Sequence, residues 1–348
     1  MSPAATDWLL VAARVFVPLL AILGFVPLLL WVERRGAGLI QDRPGPNRVG
    51  PYGLLQSLAD VIKFFFKEDI IPGNADAGLY VLAPAVAVFS ALTTFAVVPY
   101  GATLPWQGRN VPLIGADVSI GLLYVFAITS LSVYGIVLAG WSSNNKFSLM
   151  GGIRSSAQII SYELAMTTAG AGVILSAGSF RLTEIVGAQN GTWLGFIPRW
   201  NVIPQFIGFV VFYVAAFAET NRLPFDLPEA EAELVAGYHT EYSSMKFAMF
   251  FMAEYINMIV ASAITVTLYF GGWTFPGFHP NGVLGAVFSI VIFSVKTLFF
   301  VWVFVWVRWT LPRFRYDQLM KLGWKALLPL ALLNLFWAAA LEMWRMYR

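Results

Sequence analysis

Eight runs of mostly apolar residues, each about the length of a helix that crosses a bilayer, dominate this chain of 348 residues. A crossing helix needs about 20 such residues, because the hydrocarbon core is about 30 Å thick and its backbone polar groups must be satisfied within the segment. The runs lie near residues 8–31, 79–98, 118–140, 156–177, 203–219, 245–270, 283–307 and 325–344. Turn-rich stretches punctuate them: "VPYGATLPWQG", "GGWTFPGFHPNG" and "RWTLPRFRYD" follow the second, sixth and seventh. The pattern predicts an all-α integral membrane protein with about eight transmembrane helices, forming a single membrane domain over residues 1–348. The first run exceeds a signal peptide's apolar core of about 7–15 residues and reads as the first crossing helix.

Composition excludes several functions. The chain is 58% hydrophobic and only 12% charged, against roughly 25% charged in soluble proteins. Its +3 net charge does not point to nucleic acid, because most of the bases fall in short joints between apolar runs. Cysteine is absent, and the two histidines, His239 and His279, lack metal-ligand spacing. No zinc, haem or iron–sulfur centre is expected in the chain, so any redox group belongs to a partner. Nothing resembles a phosphate-binding loop or a hydrolase nucleophile.

The joints after runs one, three, five and seven, near 32–78, 141–155, 220–244 and 308–324, hold thirteen Lys and Arg residues. The opposite side holds Arg109, Arg181, Arg199, Arg345 and Arg348, with Arg14 if it snorkels. The excess of bases places the four basic joints in the cytoplasm and both termini outside. Within the first joint, "LLQSLADVIKFFFK" sets Leu54, Leu55, Leu58, Ile62, Phe65 and Phe66 on one helical face and Gln56, Asp60, Lys63 and Lys67 on the other. This predicts an amphipathic helix lying along the membrane surface.

The stretch "AETNRLPFDLPEAEAELVAGYHTEYSS", residues 218–244, carries six acids and one formal cation, Arg222. Asp226, Pro228 and Glu229 suit a helix start, which would put Asp226, Glu229 and Glu233 on one face. A solvated acidic loop is the plain alternative. Against it, Leu227, Leu234, Val235, Ala236, Tyr238 and Tyr242 interleave the acids. Glu163, Glu219 and Glu254 also lie in or at the edge of apolar runs, where ionisable groups usually face a cavity or relay. If the stretch folds back to meet them, burial favours the protonated form and suits the acids to carry protons; a buried proton relay is the favoured reading.

Lys296, midway along the seventh run, needs a partner, and a carboxylate from the fourth or sixth helix is expected. Its role stays open between locking the bundle and joining the relay. His239 reads as a polar residue in a polar loop. The aromatic run "LFFVWVFVWVRW" reads as lipid-facing surface.

Four long segments, "ERRGAGLIQDRPGPNRVGPYGLLQSLADVIKFFFKED", "GGIRSSAQIISYELAM", the acidic stretch continued to "MKFAMFFMAEY", and "RWTLPRFRYDQLMKLGWKALLPLAL", resemble the NADH-quinone oxidoreductase H-subunit (complex I subunit 1) family. The resemblance implies a membrane subunit of proton-translocating respiratory complex I, in the bacterial inner membrane or the mitochondrial one. It implies a chamber for ubiquinone or menaquinone, shaped by Glu33, Arg34, Arg43, Arg48, Arg222, Phe225, Tyr238, Arg308, Arg313 and Arg315. It implies a proton relay through Glu163, Glu219, Glu229, Glu231, Glu233 and Glu254, with Asp60 and Asp226 near its junction. Partner subunits would carry FMN and iron–sulfur clusters, and further membrane subunits would lead to antiporter-like ones. Two alternatives are a homologous subunit of a membrane-bound hydrogenase-type complex and a free-standing ion transporter. The latter would need a mid-membrane site, whereas these acids gather toward one end.

Overall fold

The computed structural model describes residues 3–106, 108–193, 195, 197–227, 234–278 and 280–347. Helices α1 (Pro3–Ile40), α3 (Ala77–Phe95), α4 (Gly121–Ser142) and α5 (Lys146–Ala177) make up the first half of the bundle. Helices α7 (Phe206–Glu219), α8 (Ser244–Tyr269) and α9 (Gly282–Thr310) follow. The last crossing is α10 (Tyr316–Leu322) and α11 (Leu328–Met346), joined by a π turn at Gly323–Leu327. Among the described residues, seven spans are long and apolar enough to cross a membrane, and α7 is a shorter apolar helix. The fold is an all-α multi-pass membrane protein, as the apolar runs predict.

Short elements fill the joints. The amphipathic helix α2 (Gln56–Phe66) lies in the first basic joint, and α6 (Leu182–Ala188) lies on the opposite side. Two antiparallel hairpins join α6 on that side: β1 (Thr103–Trp106) with β2 (Arg109–Pro112), and β3 (Thr192–Trp193) with β4 (Ile197–Pro198).

The helices overrun the apolar runs at the basic end. α1 continues nine residues past Trp31, about 13 Å at 1.5 Å per residue, which places Glu33, Arg34 and Arg35 on the helix. α5 starts at Lys146 because Asn145 caps it, its Oδ1 accepting a hydrogen bond from the Phe147 amide at 2.9 Å. Length and hydropathy mark where a helix meets hydrocarbon, whereas caps and turns set where it ends. A Cβ on Gly38 would stand 2.7 Å from the Arg43 carbonyl oxygen, so glycine lets the loop turn back across the end of α1. A Cβ on Gly151 of α5 would sit 2.7 Å from the Gly237 Cα. This close approach seats the far end of the acidic stretch against the bundle.

α3 packs on α4, α4 on α5, and α5 on both α7 and α11. α8 packs on α3 and α9 and is the most enclosed span, while α1 is the least. The aromatic run on α9 divides between two environments. Leu298, Phe299, Trp302 and Trp306 are exposed, but Phe300, Val301, Phe304 and Val305 are buried, with Phe304 stacked on Phe217 at 4.0 Å. α9 therefore carries a protein face beside the expected lipid-facing one.

The basic joints converge. Asn145 donates to the Glu241 carboxylate at 2.6 Å, and the Phe314 amide donates to the Pro224 carbonyl at 3.1 Å. Ser244 Oγ lies 2.9 and 3.0 Å from the carbonyls of Phe64 and Lys67, its single proton shared between them, tying α2 to the start of α8.

Candidate functional site

Three helices each turn one face toward a shared cavity. α1 contributes Leu23, Val26, Pro27, Leu30 and Arg34; α2 contributes Ser57, Asp60, Val61 and Phe64; α8 contributes Met245, Ala248, Met249, Met252 and Tyr255. The α1 and α2 sets repeat at spacings of three and four, one stripe of a helix, while Phe247 and Phe251 join the lining and widen the α8 face. The cavity measures about 510 Å³, and Glu33, Arg308 and Trp309 join its lining. Volume and lining, apolar with a few converging polar groups, are those of a small-molecule site.

Its polar end is a buried ion cluster. Glu33 pairs with Arg308, lies 3.6 Å from Arg222, and accepts a hydrogen bond from the Tyr255 hydroxyl at 2.6 Å. Arg222 also stacks 4.2 Å over the Tyr255 ring. Burial works against charge on Arg222, but Tyr255, Glu33 and Glu254 more than offset it, so the guanidinium stays protonated. Glu254 accepts a hydrogen bond from the Tyr238 hydroxyl at 3.1 Å. At the rim, Asp60 pairs with Arg34 and accepts from Gln56 at 3.1 Å. Residues more than 200 positions apart thus meet around one carboxylate.

A second acidic group lies deeper. Glu219 ends α7 and shares a small void with Thr129 of α4, with Glu163 of α5 nearby. The void, of about 20 Å³, is lined by Thr129, Glu219, Thr220 and Asn257 among apolar groups. That is room for about one water with several polar partners.

The family model described as NADH dehydrogenase matches residues 13–339. The chain is 54% identical over 316 residues to a NADH-quinone oxidoreductase subunit of Rhodothermus marinus, the one numbered 8, covering 88% of this chain and 89% of the relative. It is 49% identical over 335 residues to a NADH-quinone oxidoreductase H-subunit of Geobacter metallireducens, covering 96% and 97%. The chain belongs to the NADH-quinone oxidoreductase H-subunit family. It is a membrane subunit of an oxidoreductase complex.

Within this family's fold the sequence-selected residues separate into groups. Glu33, Arg34, Asp60 and Arg308 line the cavity, and Arg222 braces Glu33 from behind. Tyr238 and Glu254 pair next to them. Arg43, Arg48 and Arg315 are exposed and lie off the lining; Arg315 is held by Asp317 at 2.7 Å. Arg313 binds Asp226 at 2.9 Å. Phe225 is buried between Tyr162 and Phe314, away from the cavity. Glu229, Glu231 and Glu233, with the helix start expected at Pro228, lie outside the described residues.

Two expectations are corrected. Lys296 meets no carboxylate among the described residues: its ammonium donates to the carbonyls of Phe270, Gly272 and Thr274 at 2.7, 3.0 and 2.6 Å and sits 4.5 Å over Trp200. The first of these is the C-cap of α8 and the other two lie in the turn just beyond it, so Lys296 stands at the negative end of that helix dipole. Phe270 is 16 residues from Glu254, about 24 Å along the helix axis. His239 is not in polar surroundings either. It is buried against Tyr238, Phe247 and Phe251, and burial holds its imidazole down at about 4.

Tyr255, Met245, Met249, Met252 and Trp309 do not stand out in the sequence. The spacing of 245, 248, 249, 252 and 255 is the available signal, hidden because α8 is apolar on nearly every face.

Proposed function

We propose that this chain is the subunit of a proton-translocating NADH-quinone oxidoreductase that admits the quinone and starts the proton path linked to its reduction. Support comes from the names of its relatives. The observation that carries the reading is the apolar cavity between α1, α2 and α8, which ends on the buried Glu33 and Tyr255 and the half-buried Arg308. Ubiquinone or menaquinone fits that chemistry, an isoprenoid tail against Met and Leu and a polar ring toward the charged end. FMN and iron–sulfur clusters belong to partner subunits, which deliver the electrons.

Reduction of a quinone to a quinol takes up two electrons and two protons. Negative charge arriving at the headgroup pulls on the Glu33, Arg222 and Arg308 cluster. Arg222 connects that pull to Glu254, and Glu219 stands three residues upstream at the end of α7, with Glu163 of α5 nearby. Closely spaced acids titrate as a set, so a proton shift at one propagates to the next. Glu229, Glu231 and Glu233 extend this set, with Asp60 and Asp226 at its margins. Arg34, Arg43, Arg48, Arg313 and Arg315 face the hydrophilic partner subunits that complete the chamber, while Tyr238 backs its polar end through Glu254 and Phe225 braces the segment after α7 from outside the cavity. Lys296 stands apart as a structural cap. The subunit resides in the bacterial inner membrane, or its mitochondrial counterpart, with both termini on the outer face.

Ala248→Trp tests this by filling the cavity from α8 without touching the ion cluster. NADH-to-quinone activity should fall at least about fivefold, since overpacking a formed site costs about 1–3 kcal/mol. NADH-to-ferricyanide activity and assembly on a native gel should be unchanged. Normal quinone turnover in an assembled Ala248→Trp complex removes the cavity from the quinone's path.

A further inference from the structure

A second groove, of about 520 Å³, opens between α1 and α9 at the opposite end of the bundle. Its walls are apolar, with Val17 and Ala21 from α1 facing Phe293 and Leu298 from α9. At its mouth stand Arg14 and Tyr100, under the β1–β2 hairpin. Arg14 is the one charged residue in the lining among the described residues.

The guanidinium is poorly satisfied by the protein. Arg14 Nη1 reaches the Pro112 carbonyl only at 3.5 Å, and its buried Nε has no hydrogen-bond partner among the described residues. No carboxylate pairs with it among those residues. Arg14 lies about six residues inside the apolar run that begins near Trp8, about 9 Å along the helix. There an arginine is costly unless it is paired or snorkels to the interface. A phosphate at the interface is a matching partner, since it accepts two parallel guanidinium hydrogen bonds.

We propose that this groove binds an acyl chain of an anionic phospholipid, with the lipid phosphate held by Arg14. Size favours a flexible chain over a partner helix. A crossing helix about 30 Å long and 10 Å wide occupies roughly 2,400 Å³, several times the groove. Charge favours an anionic lipid, because Arg14 faces the groove without an opposing acid among the described residues. The site lies at the other end of the bundle from the Glu33 cavity and does not depend on how that cavity is used.

The test uses the whole purified complex in phosphatidylcholine vesicles containing a phospholipid with a diazirine in its acyl chain. The headgroup is either phosphatidylglycerol or phosphatidylcholine, and crosslinked peptides are mapped by mass spectrometry. Phosphatidylglycerol should label peptides around residues 10–25 and 290–301 in preference to phosphatidylcholine. Arg14→Gln should cut the phosphatidylglycerol labelling roughly fivefold, and Arg14→Lys should retain most of it. Ala21→Phe, which fills the groove, should abolish labelling by both lipids. Equal labelling by the two headgroups in the unaltered complex overturns the assignment of Arg14. Absence of lipid labelling there, with a neighbouring subunit crosslinked instead, overturns the lipid as occupant. If Arg14→Gln fails to assemble, the comparison of headgroups on the unaltered complex decides alone.

Discussion

Glu33 draws donors from α8, α9 and the segment after α7, so its carboxylate joins three parts of the chain. Removing one member of a buried ion pair costs about 3–5 kcal/mol, because the remaining charge stays buried. Glu33→Gln should therefore lower the melting temperature of the complex as well as quinone turnover, leaving Arg222 and Arg308 without this counter-charge. Unchanged melting would mean that the cluster carries no structural load. His239 gives a pH-dependent prediction. Its folded value of about 4 lies below the ordinary 6.5, because burial disfavours the imidazolium. The stability tied to the neutral ring is fully present above pH 6.5 and is lost as pH falls toward 4, by up to about 3 kcal/mol. His239→Phe, among rings that already pack on it, should flatten the fall in melting temperature between pH 7 and 5. An equally steep fall in the variant would assign acid sensitivity to other groups.

α2 has two working faces. Ser57, Asp60, Val61 and Phe64 turn to the cavity, while Leu58, Ile62, Phe65 and Phe66, with Leu55 just before the helix, are exposed, the face expected to meet lipid. Ser244 is one tie that holds it in place, its hydroxyl contacting two carbonyls at the end of α2. Lys246 and Asp69 add an ion pair at 2.6 Å, but Asp69 is half exposed. Ser244→Ala should loosen α2 and raise the KM for a short-chain quinone about fivefold, the effect of roughly 1 kcal/mol from lost hydrogen bonds. Asp69→Asn should change it less than about twofold, as an exposed pair contributes little. Equal effects of the two substitutions would show that Ser244 is not the stronger tie.

Across the bilayer the chain is asymmetric. The basic joints converge at one end, with the Glu33 cavity beneath them, while the hairpins, Lys296 and the Arg14 groove lie at the other. Because the chain has no cysteine, single-cysteine variants report sidedness directly. Asn110→Cys in β2 should react with an impermeant maleimide from the outer face in intact cells. Asn47→Cys, in the first basic joint, should react only in inverted vesicles. The reverse pattern would invert the orientation derived from the basic residues.

The spans, the polarity of their joints and the amphipathic α2 were readable from residue order, because apolar length and helical spacing are local properties. So was the unusual character of the acids at 163, 219 and 254, since an ionisable group in an apolar run stands out against its neighbours. Partners were not readable. Glu33 meets Arg308 across 275 positions, and Lys296 takes backbone carbonyls that leave no mark in side-chain identity. His239 looked solvated in the sequence because its enclosing rings at 247 and 251 follow in the next helix. Local sequence sets which segments enter the membrane; which charge is neutralised by which partner, and where space remains for a ligand, follows from how the helices pack.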